Sequence, residues 1–152
     1  MEPVGRVERI WIKRAKGGPM DPARRASVIA GRGLLGNADQ GGRRQVTIIA
    51  REVWDALWAE VDPRIEPVMR RANVLVSGVD LRETRGRVLR LGRVRVRVLG
   101  ETRPCEQMDA AAPGLRRALE TGWRGGVFGE VLDDGEIAAG DPVSWREDRP
   151  AA

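Results

Sequence analysis

The chain has 152 residues, carries 27 Lys+Arg against 22 Asp+Glu for a formal net charge of +5, and contains no His, no Tyr and a single Cys. The absence of His removes Ser-His-Asp and Cys-His catalysis together with imidazole metal sites. A lone Cys excludes an internal disulfide and thiolate-rich zinc or iron–sulfur centres, so the chemistry left is that of one thiol, carboxylates and many guanidinium groups.

The length suits one domain over residues 1–152, with a core from about residue 4 to residue 146. A chain that is 32% charged and 41% hydrophobic has the composition of a folded globular protein. The longest apolar run, Val46 to Ala50, is too short to cross a bilayer, and Met1 to Arg6 has no apolar signal core. With a free thiol, these features lead us to expect a reducing, cytoplasmic location and no membrane partner.

In chain order, Val4 to Lys13 reads as a strand and is broken by Lys16-Gly17-Gly18-Pro19. Ala26–Ala30 and Arg44–Ala50 are further strands. The period then changes: Val53, Leu57 and Val61, with Trp54 and Trp58, mark an amphipathic helix stopped by Asp62-Pro63. Strand signals return at Asn73–Ser77, at Val88–Leu91 and at Arg93–Leu99, where Val94, Val96 and Val98 share one face and three Arg the other. A short helix follows Pro113-Gly114 and ends at Gly122. Val127–Leu132, the turn Asp133-Asp134-Gly135 and Glu136-Ile137 read as a hairpin, and Asp141–Trp145 as a last strand. About eight strands against two or three short helices predict a mainly β domain, a small closed or partly open barrel that leaves few bare edges.

Gly31-Arg32-Gly33-Leu34-Leu35-Gly36 has the spacing of a dinucleotide-binding loop, but loop residues follow where a helix would have to open, so that function is rejected. Gly41-Gly42 could form a backbone nest for an anion, without the Lys-Ser/Thr ending of a phosphate-binding loop. Cys105, in Arg103-Pro104-Cys105-Glu106, is expected to open a short helical turn, where a neighbouring Arg103 would favour thiolate; an inert buried Cys is the competing reading. Neither Lys13 nor Lys16 sits in a pyridoxal-phosphate lysine motif, so no pyridoxal phosphate site is expected in this chain.

Taken in order, Gly33-Leu34-Leu35-Gly36-Asn37, Arg43-Arg44-Gln45-Val46-Thr47-Ile48-Ile49, Arg71-Ala72-Asn73-Val74-Leu75-Val76-Ser77-Gly78, Arg103-Pro104-Cys105-Glu106, Arg124-Gly125-Gly126 and Gly140-Asp141-Pro142-Val143 resemble the MOSC domain, named for the C-terminal domain of molybdenum cofactor sulfurases. The resemblance runs from about residue 4 to residue 146. It implies a barrel-like β fold with an anionic ligand site, the molybdenum cofactor (molybdopterin) as ligand, and Cys105 carrying sulfur as a persulfide or meeting the molybdenum. It also implies cofactor-binding roles for Arg71 and Asn73, with Arg43, Arg44 and Arg103 as further cations. A cysteine desulfurase or other sulfur donor and a molybdenum enzyme as acceptor are the partners that follow. On this basis the chain is a sulfur carrier or sulfurtransferase, or the cofactor-binding part of a molybdenum-dependent reductase.

One departure stands out. Many members read Gly-Asp-x-His where this chain has Gly36-Asn37-Ala38-Asp39; Asn37 and Asp39 thus occupy ligand-site positions with changed chemistry, and a domain that keeps the fold without the chemistry is a further reading. The rival class is a basic barrel that binds RNA or another polyanion through Arg93, Arg95 and Arg97, although interspersed acids make nucleic acid the less favoured partner.

Overall fold

The computed structural model describes residues 5–146, so Val4 lies outside the described residues. The strands are β1 (Gly5–Lys13), β2 (Met20–Ala23), β3 (Arg25–Ile29), β4 (Gly33–Leu34), β5 (Val46–Ala50), β6 (Val74–Ser77), β7 (Val88–Leu91), β8 (Val94–Glu101), β9 (Val127–Val131), β10 (Gly135–Ala138) and β11 (Pro142–Trp145). The helices are α1 (Arg51–Glu60), α2 (Gln107–Ala111) and α3 (Leu115–Leu119), and a 3-10 turn spans Pro67–Arg70.

Seven strands close on themselves in the order β11-β7-β8-β9-β5-β6-β1, with β1 pairing back onto β11 through Gly5 with Val143 and Arg6 with Pro142. Strand β2 extends from β1, and β10-β3-β4 form a separate three-stranded sheet. All ring pairings are antiparallel except β5 with β6. That parallel pair needs a crossover, which α1 and the 3-10 turn provide. The mainly β, closed-barrel architecture expected from the sequence is what the structure has.

Alternation along the strands divides the apolar residues between two cores. Val46 and Ile48 of β5, Val74 and Val76 of β6, and Val94, Val96 and Val98 of β8 fill the barrel. Ile49, Leu75 and Trp11 point out of it, and against them pack Trp54 and Leu57 of α1, Met108 of α2, and Leu115 and Leu119 of α3. The apolar run in β5 is therefore a strand buried on both faces, without the alternation of a half-exposed one.

Two features depart from the sequence reading. Strands β2 and β4 were not anticipated; both are short and carried by neighbours rather than by apolar pattern. The expected Asp133-Asp134-Gly135 hairpin does not form, because β9 already has β8 and β5 on its two edges and β10 goes to β3 instead. The turn is held open by side chains: Asp133 takes both the backbone N–H and the guanidinium of Arg95, and Asp134 accepts from the Ala30 N–H. Cys105, as expected, opens a short helical turn just ahead of α2, its carbonyl accepting from the Met108 N–H at 2.9 Å. No helix among the described residues is long and apolar enough to cross a membrane.

Candidate functional site

The segments that leave the barrel strands meet in a cleft of about 240 Å³. Its wall is drawn from the last residue of β1 (Lys13), from Thr47 in β5, from Arg70 and Arg71 at the end of the 3-10 turn, from Thr102 and Arg103 after β8, and from Gly125 ahead of β9. Cys105 lies in this wall and is exposed. Five basic residues (Lys13, Arg44, Arg70, Arg71 and Arg103) line the cleft, against Asp39 as the one lining carboxylate.

Asn73 is the best-held of the residues expected here. Its Oδ1 accepts from the Thr47 N–H at 3.1 Å and hydroxyl at 3.2 Å, while its Nδ2 donates to the Trp11 carbonyl at 3.2 Å and to Asn37 Oδ1 at 3.1 Å. Both donors and both acceptor positions of the amide are thereby used within the chain. Asn73 thus ties β1, β5 and the start of β6 together beneath the cleft. Asn37 is buried and does not line it; its Oδ1 also accepts from the Lys13 N–H at 2.9 Å. Asp39 does line it and pairs with Lys13 at 3.0 Å.

The arginines separate by environment. Arg43 is exposed and outside the lining, and Gly41 and Gly42 are outside it too. Arg44 is exposed and lies over the Phe128 ring, 5.3 Å from its centroid. Arg71 takes a left-handed backbone (φ 62°) and hydrogen-bonds the Gly18 carbonyl. Arg103 has 81% of its side chain exposed and pairs with Glu101 at 3.5 Å.

Arg70, which the sequence reading passed over for its neighbour, is the buried cation of the site. Its Nε donates to the Gly125 carbonyl at 3.0 Å, and its Nη2 to the Thr102 and Arg103 carbonyls at 3.0 and 3.3 Å. Burial pushes its pKa down, the nearby Cys105 sulfur pulls it up, and Arg44 pushes it down again. Gly125 permits this arrangement: a Cβ there would fall on the Thr102 carbonyl oxygen and within 3.3 Å of Arg70 Nη2. No sequence signal separates Arg70 from Arg71, since only the end of the 3-10 turn decides which of two consecutive arginines faces inward.

As a metal site the donor set is thin. Among the described residues no group of three or more Cys, Asp or Glu could hold an ion, so a metal here has to bring its own ligands; the soft atoms in the cleft wall are the exposed Cys105 thiol and the thioether of the buried Met108. The donors do fit an anionic ligand that carries such a metal. A larger, more apolar hollow of about 320 Å³ lies beside Val53, Val79 and Trp123, and it contains none of the expected site residues. On the outer face of β8, Arg95 is paired bidentately with Asp133, and Arg97 with Glu130 at 3.5 Å, which leaves that face less cationic than its sequence.

Fold and site together define a small closed β-barrel domain with one thiol in a cationic cleft. The chain belongs to the MOSC domain family, whose model matches residues 18–144. Among solved structures it is similar to the YuaD protein from Bacillus subtilis, at 22% identity and a TM-score of 0.78 over 93% of this chain and 94% of that one. It is also similar to YiiM from Geobacillus stearothermophilus (17% identity, TM-score 0.72, 94% of this chain and 75% of that one) and to YiiM from Escherichia coli (16%, 0.68, 96% and 72%). At these identities the likeness is one of fold. No curated protein sequence matches the chain.

Proposed function

We propose that this domain binds the molybdenum cofactor in the Cys105 cleft and carries sulfur on Cys105 as a persulfide. The observation that supports it most is the composition of the cleft: an exposed thiol among five basic residues and one carboxylate. A phosphorylated pterin with dithiolene sulfurs calls for guanidinium donors and a soft atom, and Arg44, Arg70, Arg71 and Arg103 with Cys105 answer both needs. When bound, the cofactor would supply the metal and the sulfur ligands this chain lacks.

The chain's own contribution is a thiol exchange. The Cys105 thiolate attacks the terminal sulfur of a donor persulfide, the donor's S–S bond breaks, and its electron pair leaves with the donor sulfur as a thiolate. No net oxidation occurs, and the surrounding cations balance the anionic sulfur on Cys105. Because the chain has one Cys, no second thiol of its own can discharge that persulfide, and the sulfur must leave to a partner. A cysteine desulfurase as donor and a molybdenum enzyme as acceptor are the partners this reading requires.

The test is purification of the wild type and Cys105→Ser, exposure to a cysteine desulfurase with free cysteine, and intact-mass analysis, with fluorescence of oxidised pterin read from the same samples. The wild type should gain one sulfur atom and Cys105→Ser none, and pterin should accompany the purified protein. A wild type with neither added sulfur nor pterin rejects the reading.

A further inference from the structure

A guanidinium taken out of water needs a counter-charge, because hydrogen bonds to neutral carbonyls replace its hydration only in part. Arg70 is 8% exposed, and the three carbonyls that hold it, from Gly125, Thr102 and Arg103, are all neutral. Its Nη1 has no hydrogen bond among the described residues, and no carboxylate pairs with it. The one lining carboxylate, Asp39, is engaged by Lys13 at 3.0 Å. The hydroxyl of Thr102, in the same wall, is likewise buried with no partner. The other guanidinium groups are differently placed: Arg71 is turned to Gly18, Arg44 lies exposed over Phe128, and Arg103 is paired with Glu101.

We propose that Arg70 is the residue that binds the ligand's oxyanion, and that a phosphate-class group supplies the counter-charge the fold omits. The left-handed backbone at Arg71 is part of the device, since it ends the 3-10 turn and sends two consecutive arginines to different partners. The cleft then discriminates ligands bearing an oxyanion from neutral analogues, because a charge met in a desolvated pocket counts for more than one met at the surface. The inference deepens the reading of the cleft given above, but it rests on Arg70 and not on pterin or sulfur.

The probe is inorganic phosphate, titrated calorimetrically at constant ionic strength. The wild type should bind it, and Arg70→Lys, which keeps the charge and loses the fork, should weaken binding about tenfold or more. Arg90→Ala, an exposed charge on β7 outside the cleft, should stay within about twofold of the wild type. Cys105→Ser should retain phosphate binding, which separates a ligand oxyanion from the Cys105 sulfur as the source of the counter-charge. Unchanged affinity in Arg70→Lys, or loss of binding in Cys105→Ser, overturns the proposal.

A measurement on the unaltered protein guards against a variant that does not fold. Cys105 should react with anionic iodoacetate faster, relative to neutral iodoacetamide, than free cysteine does, and phosphate should abolish that preference. A ratio equal to that of free cysteine and indifferent to phosphate also overturns it. Absence of pterin and persulfide would leave these results untouched, so the two proposals fail separately.

Discussion

Cys105 lies exposed in the cleft, and Asn73 and Gly125 hold the shape of the wall around it. Asn73→Ala removes four hydrogen bonds and leaves the Thr47 N–H and the Trp11 carbonyl short of a partner. A loss of about 3 kcal/mol in unfolding free energy is expected, read from urea denaturation. Gly125→Ala should cost about 2 kcal/mol by the same measurement, since its Cβ overlaps the Thr102 carbonyl and strand pairing leaves little room to yield. It should also disturb Arg70 and so weaken phosphate binding. The sequence pointed to six residues of the cleft's wall: Cys105, Arg44, Arg71, Asn73, Arg103 and Asp39 all reach it. It could not distinguish an amide that offers itself to a ligand from one wholly consumed by its neighbours, nor Arg70 from Arg71, because both distinctions depend on partners 26 to 62 residues away.

At the scale of elements, the helix period was legible and its orientation was not. Trp54 and Trp58 stand one turn apart in α1, yet Trp54 is 2% exposed and Trp58 54%. Trp54→Ala should therefore cost about 3 to 5 kcal/mol, and Trp58→Ala less than about 0.5 kcal/mol, in parallel chemical denaturation. The spacing of Val7, Ile10 and Ile12 breaks strict alternation because β1 shifts register against β6 between Val7 and Arg9, and all three still face the barrel interior. The turn after β9 makes a pH prediction. Hydrogen bonds and charge from Arg95 hold the Asp133 carboxyl at about 2, below its ordinary 3.8. A carboxyl whose pKa is lower in the folded state stabilises the fold above its unfolded value and ceases to do so as pH falls through the folded one. Thermal unfolding followed by circular dichroism should thus show stability lost between pH 3.8 and about 2, and Asp133→Asn should flatten that limb.

For the whole molecule, the ring closes where β1 meets β11, through Gly5 with Val143 and Arg6 with Pro142, continued by the backbone hydrogen bonds of Val7 with Asp141 and Gly140. Val143, 1% exposed, sits at that seam. Val143→Asp should bury an unpaired carboxylate there and abolish cooperative unfolding in circular dichroism, whereas Ser144→Asp on the exposed side should fold normally. Charge is also arranged at this scale: Arg95 pairs with Asp133, Arg97 with Glu130, and Arg124 with Glu60 at 2.8 Å, pairs that are neutral in themselves and leave the net charge of +5 unchanged.

The sequence by itself determined the strand-rich class, the amphipathic helix, the single thiol and the order of motifs that belongs to the MOSC family, because each of these is written in composition, local period or spacing. Tertiary structure alone decided that β9 has no free edge for a hairpin, that Asn73 is a tie, and that Arg70 is the cation kept from water. Those outcomes depend on which distant segments come to lie side by side when seven strands close, and no local pattern encodes that.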